Sequence, residues 1–214
     1  MLLGNGTTLQ SVIDNIENGV LDAKINLVVS DNKNAYALER AKKAGIPTYI
    51  IKNKPTDEID IELDNLLKNY EIDLIVLVGY LKLIGKRLVN NYTIINTHPS
   101  LLPKFGGKGM YGMNVHTAVV EAGEKISGPT VHFVNDKYDE GNIISQTIVE
   151  LDENETPESL SAKVQAAEKI QLIKVLKEFI SNKKWEKRGQ SPFFSFISLV
   201  KYLFEFFSIN FFFF

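Results

Sequence analysis

The chain has 214 residues, of which 44% are hydrophobic and 23% charged, with a formal net charge of −2. That balance fits one globular core and excludes the strongly basic field of a nucleic-acid binder. With no cysteine, a disulfide framework and a thiolate metal site are excluded, and a reducing cytoplasm suits the composition.

In chain order, "MLLGNGTTLQ" opens with three apolar residues ahead of a glycine turn, about half a usual strand. No basic n-region with an apolar h-region marks a signal peptide. "KINLVVSD" from Lys24 is a short apolar run ended by turn residues, which predicts a buried strand. "NAYALERAKKAG" puts Ala35, Leu38 and Ala41 on one helical face and stops at Gly45. "PTYII" is β-rich. "TDEIDIELDNLLKNY" begins with Thr56 as a capping residue and carries Ile59, Leu63, Leu66 and Leu67 at helical spacing. "DLIVLVGY" is almost wholly apolar, as a central parallel strand buried on both faces must be. "TIINTH" is a further strand.

Beyond a glycine-rich loop the pattern changes. "VHTAVVEAG" from Val115 predicts a short helix. Ser127 to Val134 and Asn142 to Leu151 predict two strands joined by "NDKYDEG". Thr156 caps a long helix running to Ser181, with Pro157 in its first turn. The alternation predicts an α/β fold, a doubly wound, mostly parallel mixed sheet in three αβα layers. A single domain is expected over residues 1–190. Residues 191–214 hold ten of the thirteen phenylalanines. Lys201 and Glu205 interrupt this tail, so no membrane span is expected. It reads as a run-on outside the fold.

Ligands of open α/β sheets bind beyond the carboxyl ends of the strands. "GNGTTLQ" opens a helix there, and its backbone N–H groups with the Thr7 and Thr8 hydroxyls suit one phosphate. Leu9 stands where a dinucleotide fingerprint needs its third glycine, and a single GxG on its own is mostly an ordinary turn. In "NTHPS", strand alternation puts Asn96 and His98 on one face. An amide there can donate to a developing oxyanion, and an imidazole can move a proton. Taken alone, both residues fit the plainer task of satisfying loop backbone. Asp139 in "KYDEGNI" reads on spacing alone as a turn aspartate, and His116 and His132 read as structural. The three histidines lack metal-ligand spacing, so no metal is expected.

"GNGTTLQ", "VLVGYLKLI", "INTHPSLLPKFGGKGMYG", "VHFV", "DEGNIISQ" and "VQAAE" occur in the order found in the glycinamide ribonucleotide formyltransferase family of purine biosynthesis, which this chain resembles from Gly4 to about Lys187. The resemblance implies formyl transfer from 10-formyltetrahydrofolate to the amine of glycinamide ribonucleotide, both small-molecule partners, without metal, nucleic acid or membrane. It implies that Gly6, Thr7 and Thr8 hold the substrate phosphate and that Asn96, His98 and Asp139 form a catalytic trio. It implies that Tyr80, Leu81, Lys82, Leu83 and Ile84 line the pterin pocket, and that Glu168 contacts the ribonucleotide. Formyltetrahydrofolate hydrolase and a non-catalytic or damaged ligand-binding module are the alternative readings. The oligomeric state is not readable from the sequence.

Overall fold

The computed structural model describes residues 5–181 and 209–213. The expected first strand, Met1 to Leu3, lies outside the described residues. Among those residues the chain runs α1 (Thr7–Glu17), β1 (Ala23–Ser30), α2 (Tyr36–Lys43), β2 (Thr48–Ile50), α3 (Thr56–Leu67), β3 (Leu74–Val78), α4 (Lys86–Asn91) and β4 (Ile94–His98). It continues with α5 (Met113–Glu121), β5 (Ile126–Ser127), β6 (Thr130–Phe133), β7 (Ile143–Gln146), β8 (Val149–Glu150), α6 (Pro157–Ser181) and β9 (Ile209–Phe213).

One sheet has the order β2-β1-β9-β3-β4-β6-β7, and β5 pairs with β8 in a separate two-stranded ribbon. The strands from β2 to β4 are all parallel, and β6 turns antiparallel to β4. The expected doubly wound, mostly parallel mixed sheet is the one found. Apolar side chains alternate between its faces. Leu74 and Val76 of β3 join Val12 of α1, Leu38 of α2 and Leu172 of α6 on one face. Ile75 and Leu77 meet Ile59 and Leu63 of α3 and Leu88 of α4 on the other, which makes the three layers.

Several local expectations need correction. The tail, expected outside the fold, supplies β9 at the centre of the sheet, between β1 and β3. Its Phe211, Phe212 and Phe213 are 0%, 0% and 2% exposed, so this aromatic run is core. Residues 191–208 and 214 lie outside the described residues. The two predicted late strands each break in two. Gly128 is the reason in one: a Cβ there would lie 1.8 Å from the Thr147 carbonyl oxygen, so the crossing of the two chains tolerates no side chain. Thr56 is the first residue of α3, and Pro55 takes the cap position. The capping pattern of α6 holds, with Ser159 N–H donating to Thr156 Oγ1 at 3.2 Å. Helix α4 had no sequence signal. Its start is fastened from α3 by buried Asp60, whose Oδ1 accepts from the Gly85 N–H at 3.1 Å.

Candidate active site

Chain order reverses direction across the sheet between β1 and β3: β1 leads outward to β2, and β3 leads the other way to β4. Ligand crevices of open α/β sheets form beyond the carboxyl ends of strands at such a reversal. Three of the predicted segments converge on that edge: the start of α1, the loop after β3, and the end of β4.

Asn96 and His98 lie on β4, with His132 and Thr130 directly opposite on β6. His98 is 3% exposed. Its Nε2 lies 2.8 Å from the Phe105 carbonyl oxygen, which can only accept, so Nε2 carries a hydrogen. Nδ1 faces Asp139 Oδ2 at 3.5 Å. Asp139 is held from the glycine loop, where the Gly107 N–H donates to Oδ2 at 2.9 Å. Its backbone φ of 55° is a left-handed conformation that Asp and Asn tolerate better than other residues with a side chain. The sequence-predicted trio is therefore brought together, with Asp139 beside the imidazole and Asn96 on the same strand face.

His132, expected to be structural, belongs to this cluster. Its Nδ1 lies 2.8 Å from the Phe133 carbonyl oxygen, so Nδ1 bears the hydrogen. Burial lowers its pKa and keeps it neutral, and Nε2 then accepts from Asn96 Nδ2 at 3.1 Å. That bond aims one amide hydrogen of Asn96 and leaves the other for a ligand. Asp139 Oδ1 lies 3.7 Å from the same Nε2. A break in the β6–β7 register at His132 shapes this corner. Only the three-dimensional hairpin brings His132 here, and no spacing in the sequence announces it. His116, by contrast, is buried in α5, and burial takes its imidazole down to about 4.

The loop after β4 is pinned by Thr130. Its Oγ1 donates to the Ser100 carbonyl at 2.6 Å and accepts from Leu102 N–H at 3.1 Å and Gln146 Nε2 at 2.9 Å. This holds the segment that carries the Phe105 carbonyl against His98.

At the start of α1, Gly6 has φ 60° and packs against α2; a Cβ there would lie 2.6 Å from Ala37 Cα. Among the described residues the helix N-terminus has no side-chain cap, so no side-chain acceptor there satisfies its first N–H groups. Thr7 is half-buried at this end. Thr8 is placed differently from the expected phosphate donor: it is buried, and its hydroxyl donates to Glu168 Oε1 on α6 at 2.9 Å. Arg40, which the sequence reading missed, ties α2 to this turn by donating from Nε to the Asn5 carbonyl at 2.7 Å. Of the segment after β3, Tyr80 and Ile84 pack into the core, Leu83 is half-buried and Leu81 is 41% exposed. Lys82 reaches away to Asn53 at 2.9 Å and Asp31 at 3.2 Å. Among the described residues no group of three or more His, Cys, Asp or Glu is arranged to hold a metal ion. No described helix is long and apolar enough to cross a membrane.

Glu168 connects two parts of this edge, since it also takes a hydrogen bond from Thr97, between Asn96 and His98. Burial raises its pKa, against the lowering effect of both threonines. With the folded-state pKa above the unfolded one, stability is lost as pH rises through that interval, and the ionised carboxylate costs stability above it. Glu168→Gln keeps the acceptor and removes the charge. It should raise the melting temperature by about 2–5 °C at about pH 8 and change it little near pH 4. Melting curves at the two pH values check this; an equal shift at both would mean that the carboxyl is ionised throughout.

Residues 1–176 match the family model described as formyl transferase. The chain belongs to the formyl transferase family. The chain is 38% identical over 193 residues to the chloroplastic phosphoribosylglycinamide formyltransferase of Arabidopsis thaliana, covering 87% of this chain and 66% of the relative. It is 37% identical over 173 residues to the phosphoribosylglycinamide formyltransferase of Haemophilus influenzae, covering 78% of this chain and 79% of the relative. The crystal structure of the Bacillus halodurans phosphoribosylglycinamide formyltransferase superposes with a TM-score of 0.77 at 33% identity, over 84% of this chain and 92% of that one. The chain thus spans just under two-thirds of its Arabidopsis relative's length.

Proposed function

We propose that this formyl transferase moves a formyl group from 10-formyltetrahydrofolate to the amine of glycinamide ribonucleotide. The observation that carries this is the convergence of Asn96, His98 and Asp139 at the carboxyl end of β4, in a sheet like that of a phosphoribosylglycinamide formyltransferase of known structure. The uncapped start of α1, with Gly6 and Thr7, suits the ribonucleotide phosphate, and Thr8 acts behind it through Glu168. Glu168, bonded to Thr8 at this end, is the carboxyl group offered to the ribose hydroxyls. Leu81 and Leu83 offer an apolar shelf that suits a flat pterin ring, with Tyr80 and Ile84 supporting it and Lys82 outside.

When bound, the folate supplies an activated formyl carbonyl. Asn96, oriented by His132, donates its remaining amide hydrogen to the oxygen of that carbonyl as negative charge grows on it. His98, anchored through Nε2, has Nδ1 for proton transfer, and Asp139 stabilises the doubly protonated ring. Together they take the proton that the attacking amine must lose and return one to the departing folate nitrogen. Small molecules are the only partners this mechanism requires, and a cytoplasmic location is part of the proposal.

The test is to mix the protein with glycinamide ribonucleotide and a 10-formyl folate and follow deformylation by absorbance. Deformylation should require the ribonucleotide. Loss of formyl to water without it would make the protein a hydrolase, and ligand binding without turnover would make it a binding module.

A further inference from the structure

Helix α2 reaches the turn before α1 through a residue that the proposed reaction leaves without a task. Arg40 stands on the side of α2 that also carries Ala37, the residue pressed against Gly6. Its guanidinium is gripped from several directions. Nε donates to the Asn5 carbonyl at 2.7 Å, and Nη1 donates to Gln10 Oε1 at 3.0 Å. The same group lies over the Tyr36 ring, 4.8 Å from its centre. Gln10 is itself fixed, since its Nε2 donates to Asp14 Oδ1 at 2.7 Å. One planar cation therefore holds the turn on both sides of Gly6, at Asn5 and at Gln10.

The bond to Asn5 has a directional consequence. In a trans peptide, such as that between Asn5 and Gly6, the C=O and N–H point in opposite directions. Drawing the Asn5 carbonyl toward Arg40 turns the Gly6 N–H away from it. Gly6 is left-handed, with φ 60° and ψ 24°, and Thr7 begins the right-handed helix. A left-handed and a right-handed residue in succession direct their N–H groups into one concavity that suits an anion.

We propose that Arg40 is a positioning residue for ribonucleotide binding: by holding the Asn5 carbonyl it aims the Gly6, Thr7 and Thr8 N–H groups at the substrate phosphate, and it adds a positive charge beside them. This rests on the assignment of the turn to the ribonucleotide phosphate. A lysine would keep the charge, but as a point donor on a flexible stem it cannot hold Asn5 and Gln10 together.

The test compares the wild-type chain with Arg40→Lys and Arg40→Met. In steady-state kinetics both variants should raise the KM for glycinamide ribonucleotide about tenfold or more, the worth of one charge-assisted hydrogen bond. The kcat and the KM for the formyl folate should change less than about twofold. In melting curves, inorganic phosphate should stabilise the wild-type chain and stabilise both variants less, a comparison that needs no turnover. A wild-type chain that neither phosphate nor the ribonucleotide stabilises removes the phosphate assignment itself, and the role of Arg40 with it. A wild-type chain that phosphate stabilises, beside variants stabilised equally, overturns the role of Arg40 alone. So does an Arg40→Lys protein with the wild-type KM, because charge without the fork would then suffice. A lower melting temperature with every KM unchanged makes Arg40 a fastening of α2 and likewise overturns the proposal.

Discussion

His98→Ala should lower turnover by about 10²–10⁴ while both substrates still bind. The ring is buried, its Nε2 is committed to the Phe105 carbonyl, and its Nδ1 is turned to Asp139, so its removal leaves the carboxylate without the group it serves. Asp139→Asn should also slow turnover. Asparagine tolerates the φ of 55° and its side-chain oxygen can keep the Gly107 N–H, so the loop stays while the negative charge is lost. Because the two residues act as one proton-handling unit, the double variant should be little slower than His98→Ala alone. Single-turnover rates with separately measured binding constants check this. Near-normal turnover in His98→Ala would sink the mechanism, and fully multiplicative losses would separate Asp139 from it.

Ending the chain after residue 208 should abolish stable folding, the reverse of what the sequence reading of the tail implies. Burying one phenylalanine contributes about 1.5–3 kcal/mol, and three are lost. A loss of that size is comparable with the whole stability of a domain, about 5–15 kcal/mol. The backbone groups of β1 and β3 that pair with β9 would lose their partners as well. Circular dichroism and proteolysis of the shortened chain decide the matter. A cooperative melt at the full-length temperature would place β9 outside the native sheet.

The alternation of apolar runs and amphipathic helices was readable because each helix shows its buried stripe locally, as in Ile59 and Leu63 of α3. The end of β4 was readable for a similar reason: Asn96 and His98 are polar residues in an apolar strand, two positions apart. β9 was not. Its phenylalanines belong to a longer apolar tail that reads as a run-on, and its partners Ile25 and Leu74 lie far away in sequence. His132 was missed because its role depends on pairing opposite Asn96, a contact across 36 positions. The partner of the Thr8 hydroxyl was not readable, because it is Glu168, 160 positions away, and nothing in "GNGTT" says that α6 will pass beneath it.

The position of β9 also bears on how the protein comes to be made. A ribosome delivers β1, β2, β3, β4, β6 and β7 before the strand that unites them. Until Phe213 emerges, β1 and β3 lack the strand that pairs with both of them. Folding must therefore wait for late synthesis and then close contacts between residues nearly two hundred positions apart, which makes it slow and exposed to aggregation. Nascent chains halted before this strand should depend on chaperones, and a single late frameshift should be as damaging as the loss of a catalytic residue.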